Sequence, residues 1–132
     1  MQPESFTKYT LHILVVDDND INCDLLLYHL REISSIDIAY TGETAIVKIC
    51  QNRYDLILLD ISLGIGMNGV EVFKKMKVQG MNKNTPVIAV TGSVSESDQA
   101  EFITAGFNGF LSKPFSKQEL MNAIQKVLDR IT

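Results

Sequence analysis

Five polar side chains stand where short apolar runs stop. Asp17 and Asp18 follow Leu11-His12-Ile13-Leu14-Val15-Val16, and Asp60 closes Tyr54-Asp55-Leu56-Ile57-Leu58-Leu59. Thr91 closes Val87-Ile88-Ala89-Val90, and Lys113 follows the run from Phe107 to Ser112. Apolar runs of this length bounded by polar residues read as strands buried on both faces. In an open parallel sheet the carboxyl ends of the strands are where ligands bind. Taken singly, each residue has an ordinary structural account: the acids as caps of the next helix or turn, Thr91 as a β-former, Lys113 as a surface charge. Taken together, with none of them in mid-strand, they describe one crevice. Carboxylates ~4 Å apart repel by about 4 kcal/mol at an effective dielectric near 20, so such a cluster takes up protons or a cation. Oxygen ligands without His or Cys favour Mg²⁺ over zinc. A divalent cation beside a carboxylate, flanked by an ammonium and a hydroxyl, is a set of parts for phosphoryl transfer. A carboxylate can itself be the nucleophile, forming an aspartyl phosphate.

The elements that must position these residues alternate along the chain. After the first strand, Ile21, Leu25, Leu26, Tyr28, Leu30 and Ile33 recur at helical spacing from Asn19 to about Ile33. Ile36 to Tyr40 alternates as a short strand, and Thr41-Gly42 starts a helix with Ala45, Ile46, Ile49 and Cys50 on one face. Past Asp60 a loop carries Gly64, Gly66 and Gly69, and Val70, Phe73 and Met76 mark a third helix ending near Gly80. Pro86 introduces the fourth strand, where its missing donor costs nothing. Ser95-Glu96-Ser97-Asp98 opens a fourth helix that closes at the C-cap Gly106. Ser116 and Glu119 form a capping box ahead of a last helix whose Leu120, Ile124, Val127, Leu128 and Ile131 share one face. The expected architecture is α/β, a (βα)5 doubly wound five-stranded parallel sheet with right-handed crossovers and helices on both faces.

The bulk properties exclude several classes. At 132 residues and 45% hydrophobic, the chain reads as one globular domain over residues 11–132 behind a loose polar leader, residues 1–10. A formal charge of −4 argues against direct nucleic-acid binding, which needs clustered Lys and Arg. No apolar run approaches the ~20 residues of a membrane span, and Met1-Gln2-Pro3-Glu4 lacks the basic and apolar regions of a signal peptide. Cys23 and Cys50 fall in helical patterns far apart and read as reduced core residues of a cytoplasmic protein. His12, at the polar entrance of the first strand, is expected at the surface or sheet edge without a role. No output domain follows residue 132, so the output is expected to be a partner, or the chain to be a piece of a longer one.

Val15-Val16-Asp17-Asp18-Asn19, Leu58-Leu59-Asp60, Val90-Thr91-Gly92 and Ser112-Lys113-Pro114, in this order and spacing, resemble the response-regulator receiver domain of two-component signalling, over about residues 11–131. The resemblance implies a flavodoxin-like strand order of 2-1-3-4-5. It implies that Asp60 is the phosphoacceptor and that Asp17, Asp18 and Asp60 hold Mg²⁺ together with the Ser62 backbone carbonyl. Lys113 would pair with the phosphoryl group, its bond to Pro114 would be cis, Thr91 would be the switch hydroxyl, and Phe110 the switch aromatic. The implied donor is a sensor histidine kinase or a histidine phosphotransfer protein. The implied output is a downstream protein target on the face of the fourth helix, fifth strand and fifth helix, with a homodimer through that face left open. Asn19 and Asn22 resemble a run frequent in receivers of hybrid kinases and phosphorelays, though an Asn at a helix start is equally a cap.

The chain departs from the family pattern after Asp60. The usual Met-Pro-x-Met-Asp-Gly is replaced by Leu63-Gly64-Ile65-Gly66-Met67-Asn68-Gly69, without the proline and one residue longer, so a looser loop is expected there. Gly92, just after Thr91, is expected to leave that side of the pocket open to water and the phosphorylated form short-lived. Three other functions compete. A phosphorylation-independent receiver-fold interaction module would not need the intact acids, Thr91 and Lys113. A haloacid-dehalogenase-like phosphatase would want a second acid where Ser62 stands. A flavodoxin-like FMN carrier would find Asp17 and Asp18 repelling its phosphate.

Overall fold

A computed structural model describes residues 11–64, 66–78, 80–92 and 95–131; the expected leader, residues 1–10, lies outside them. The elements run β1 (Leu11–Val16), α1 (Asp20–Leu30), β2 (Ser34–Ala39), α2 (Gly42–Gln51), β3 (Leu56–Asp60), α3 (Gly69–Val78), β4 (Val87–Thr91), α4 (Glu96–Ala105), β5 (Gly109–Ser112) and α5 (Lys117–Ile131). The strands form one parallel sheet in the order β2-β1-β3-β4-β5, the doubly wound arrangement expected.

The period-2 alternation of each strand divides the core in two. Leu14, Val16, Ile57, Leu59, Val87 and Ala89 face one side, against Ala45 and Ile49 of α2 and Val72, Phe73 and Met76 of α3. Ile13, Val15, Leu56, Leu58, Ile88 and Val90 face the other, against Cys23, Leu26 and Leu30 of α1 and Leu120, Ile124 and Val127 of α5. β3 is buried at every position, as a central strand covered on both faces must be.

Four sequence expectations need correction. The stripe expected on α1 is too wide: Cys23, Leu26 and Leu30 are its core residues, whereas Ile21, Leu25 and Tyr28 are exposed, because one helix face can meet the sheet and this helix is apolar beyond that face. The helix also stops at Leu30, where β2 begins at Ser34 in register with Leu11. Tyr54 and Phe107 are core residues that precede their strands; Phe107 stacks on Phe73 with ring centroids 3.8 Å apart. Cys50 is exposed, unlike buried Cys23, because α2 turns Ala45 and Ile49 to the sheet and carries Cys50 past it. His12 is partly exposed at the amino end of β1, an interior strand and not the sheet edge, its Nε2 3.1 Å from Asp37 Oδ2, away from the strand ends that carry the acids.

Candidate functional site

The sheet delivers the expected residues to one edge. Asp60 ends the central strand and Asp17 follows the adjacent one, and both are buried, at 4% and 2% exposure. Lys113 reaches over from the end of β5, its Nζ 3.0 Å from Asp17 Oδ2 and 3.0 Å from Asp60 Oδ2. Asp18, on the outer rim, is exposed. The three acids each offer a carboxylate oxygen within 4.8 Å of the others. Thr91 ends β4 and is buried, and its carbonyl accepts the Lys113 N–H at 2.8 Å, which fixes the start of the Lys113 side chain beside the crevice. The Lys113–Pro114 peptide is cis.

Backbone donors hold the carboxylates in place. The Ser62 N–H donates to Asp60 Oδ1 at 2.8 Å, and the Asn19 N–H donates to Asp17 Oδ1 at 2.9 Å. Asn19 also caps α1, its side chain accepting the Asn22 N–H at 2.9 Å, so the helix start and the acid are fixed by the same residue. Phe110 is not in the crevice. It lies two residues inside the end of β5 and lines a cavity of about 300 Å³ with Ile103 of α4 and Ala123 and Val127 of α5.

Burial dominates the electrostatics. It raises the Asp60 pKa above the ordinary carboxylate value, against the opposing hydrogen bonds from Lys113 and the Ser62 N–H. Burial also works against the Lys113 charge, but its hydrogen bonds to Asp17 and Asp60 outweigh it and hold that pKa above the ordinary lysine value. Lys113 is therefore an ammonium, and with three facing acids the crevice has an excess of negative charge that a divalent cation relieves. The donor set fits Mg²⁺: oxygen throughout, few carboxylates, and an exposed rim where ligand waters can remain. Behind the site, burial and the nearby Asp17 charge push the Cys23 thiol up to about 12, so it is an inert core residue.

Sequence reading missed the groups that shape the rim. Gly69 opens α3 against the backbone of Asp60; a Cβ there would overlap the Asp60 carbonyl and come 2.8 Å from Ile61 Cα. The glycine loop expected to be loose is anchored at both ends. Gly64 donates its N–H to Asp18 Oδ2 at 2.9 Å, and Asn68 and Glu71 exchange hydrogen bonds of 3.1 and 3.0 Å across the start of α3. The Asn68-x-x-Glu71 spacing of a capping box was the available signal; the Gly64 contact spans 46 positions and has none. Among the described residues, nothing lies within 4 Å of where a Cβ on Gly92 would sit, consistent with an open side of the crevice.

Comparison with known proteins agrees with this geometry. The family model described as the response regulator receiver domain matches residues 13–125. The transcriptional regulatory protein ResD of Bacillus subtilis (strain 168) is 37% identical over 119 residues, covering 89% of this chain and 48% of ResD. The autoinducer 2 sensor kinase/phosphatase LuxQ of Vibrio vulnificus (strain YJ016) is 32% identical over 120 residues, covering 90% of this chain and 14% of LuxQ. The chain thus spans less than half the length of these relatives. Among solved structures, the receiver domain of sensor histidine kinase PA1611 from Pseudomonas aeruginosa PAO1 superposes with a TM-score of 0.80 at 28% identity, covering 91% of this chain and 98% of that one. That structure is described as having a magnesium ion coordinated in its active site cleft.

Proposed function

The chain belongs to the response regulator receiver domain family of two-component signalling, and from that premise we propose that it is a Mg²⁺-dependent switch phosphorylated on Asp60. The observation that carries this reading is the Lys113 ammonium at 3.0 Å from both Asp17 and Asp60, with Asp18 completing the acidic cluster. Asp17, Asp18 and Asp60, with the Ser62 carbonyl, would hold Mg²⁺. Bound there, the ion offsets the carboxylate charge and the charge on the phosphoryl oxygens.

The chain's own residues do the rest. An Asp60 oxygen attacks the phosphorus of a phosphohistidine on a sensor kinase or phosphotransfer protein; the O–P bond forms as the P–N bond breaks and the imidazole leaves. The Ser62 N–H bond to Oδ1 orients the carboxylate for that attack. Lys113 shifts from carboxylate to phosphoryl oxygen, keeping its charge at the reacting centre. Thr91 closes on the new acceptor oxygens, Phe110 follows into the space behind it, and the face of α4, β5 and α5 is reshaped for a downstream protein. Among the described residues no helix is long and apolar enough to cross a membrane; the cytoplasm, where kinase domains act, is the proposed location.

Incubation with Mg²⁺ and acetyl phosphate, followed by intact mass measurement, tests the chemistry. The expected result is a gain of one phosphoryl group in the wild type and none in Asp60→Asn. No gain in either leaves a phosphorylation-independent interaction module. An amide spectrum of residues 91–115 unchanged by phosphorylation would remove the switch.

A further inference from the structure

The sheet alone does not fix the acids of the crevice. Asp18 stands on the exposed rim, and the Gly64 N–H bond to its Oδ2 restrains an otherwise free side chain. The loop that supplies this N–H is itself tied to the first turn of α2. Glu43 Oε2 accepts the Met67 N–H at 3.0 Å. Gly66 adopts φ +86° against the same carboxylate, where a Cβ would come 2.8 Å from Oε2. Gly42 lets the helix backbone and the Met67 backbone meet; a Cβ at 42 would overlap the Met67 carbonyl. The loop therefore has a seat, and Glu43 is its side-chain anchor.

We propose that Glu43 is a positioning residue for the metal site: through Met67 and the glycine loop it holds the Gly64 N–H against Asp18 and so orients the outermost carboxylate toward Asp17 and Asp60. The inference rests on reading these acids as a Mg²⁺ site. A carboxylate oxygen has two lone pairs, so the bond to Gly64 leaves Asp18 with acceptor capacity for a cation. Ordering Asp18 before the cation arrives removes a conformational cost from binding. Glu43 acts only through the loop, as outer-shell partners of metal ligands do.

The test is calorimetric titration of Mg²⁺ into the full chain, with thermal midpoints and the amide shifts of Asp18 and Gly64 recorded for each variant. Glu43→Ala is expected to bind Mg²⁺ about tenfold more weakly, the low end of outer-shell effects, while Glu43→Gln, which keeps a carbonyl acceptor for Met67, stays within about twofold of wild type. Glu43→Ala should also move the Asp18 and Gly64 amides of the Mg²⁺-free protein. Unchanged affinity in Glu43→Ala overturns the proposal. So does an equal loss in Glu43→Gln, which assigns the effect to charge, and so does a lowered midpoint with the two amides unmoved. If the wild type itself takes up no Mg²⁺, the metal reading fails, and that result is distinguishable because it involves no variant.

Discussion

Replacing Asp60 with Asn should make the protein more stable at neutral pH, because the site is assembled against the charge of its central residue. Asp60 is 4% exposed. Its oxygens come within 4.8 Å of those of Asp17 and Asp18, a repulsion of about 3.5 kcal/mol with each at an effective dielectric near 20. The Lys113 ammonium at 3.0 Å returns about 5.5 kcal/mol on the same scale. Asp18 is exposed and its repulsion is screened by solvent, so the pairwise attraction and repulsion largely offset each other, and desolvation, the largest influence on Asp60, decides against the ionised form. Asn keeps the shape and an acceptor for the Ser62 N–H, so we expect a gain of about 1–2 kcal/mol, or about 3–8 °C in the thermal midpoint. Urea unfolding followed by circular dichroism, at neutral pH and below the ordinary carboxylate value of 3.8, measures it. Because folding raises the Asp60 pKa, the folded state binds that proton more tightly than the unfolded chain. The wild type's penalty is therefore present above the folded pKa and is lifted as pH falls through it, and the two proteins converge in acid. Mg²⁺ at neutral pH closes the gap by another route, stabilising the wild type more than the variant. An Asn variant less stable than wild type at neutral pH, or a gap that persists in acid, refutes the electrostatic reasoning.

Three other substitutions probe the frame around the site. Gly69→Ala places a Cβ onto the Asp60 carbonyl with Ile61 Cα 2.8 Å away; since backbone must give, a loss of about 1–3 kcal/mol in urea unfolding and slower acetyl phosphate labelling are expected, and an unperturbed labelling rate would separate α3 from the acceptor. Asn82, 1% exposed, donates to the Ile49 and Asn52 carbonyls at 2.7 and 2.6 Å and accepts the Tyr54 N–H at 2.9 Å. Asn82→Ala orphans these buried groups, so denaturation should report a loss of about 2–4 kcal/mol with Mg²⁺ affinity intact. Gly92→Val meets nothing within 4 Å among the described residues, so its stability should stay within about 0.5 kcal/mol of wild type while dephosphorylation, followed by mass, slows; an unchanged rate counts against water entering on that side.

What could be read in the residues, and what could not, divides along a physical line. Asp17, Asp60, Thr91 and Lys113 were legible because a parallel sheet converts position within an apolar run into position in space: the last residue of each run lands on the same edge. The burial of β1 on both faces was legible in the same way, and the structure sets Leu14 and Val16 on one face, with Ile13 and Val15 on the other. The faces of α1 were not legible. Ile21, Leu25 and Tyr28 are as apolar as Cys23, Leu26 and Leu30, and only docking on the sheet selects between the two sets. Nor was the rim. Gly64 meets Asp18 across 46 positions and Met67 meets Glu43 across 24, through backbone N–H groups that every residue but proline carries.

The same line divides what substitution can do. Strand-end residues hold their places through the sheet ladder and two packed cores, so changing Asp60 or Lys113 alters the chemistry and leaves the frame. The rim around Asp18 is held by a few hydrogen bonds of one glycine loop, not by the sheet ladder. Substitutions at 43, 64 and 66 are therefore expected to tune how firmly the outer carboxylate is held without touching Asp60. If Mg²⁺ binds as proposed, its affinity is expected to be adjustable through residues of the loop after β3 and its anchor Glu43 that never meet the cation, while the strand ends carry the ligands.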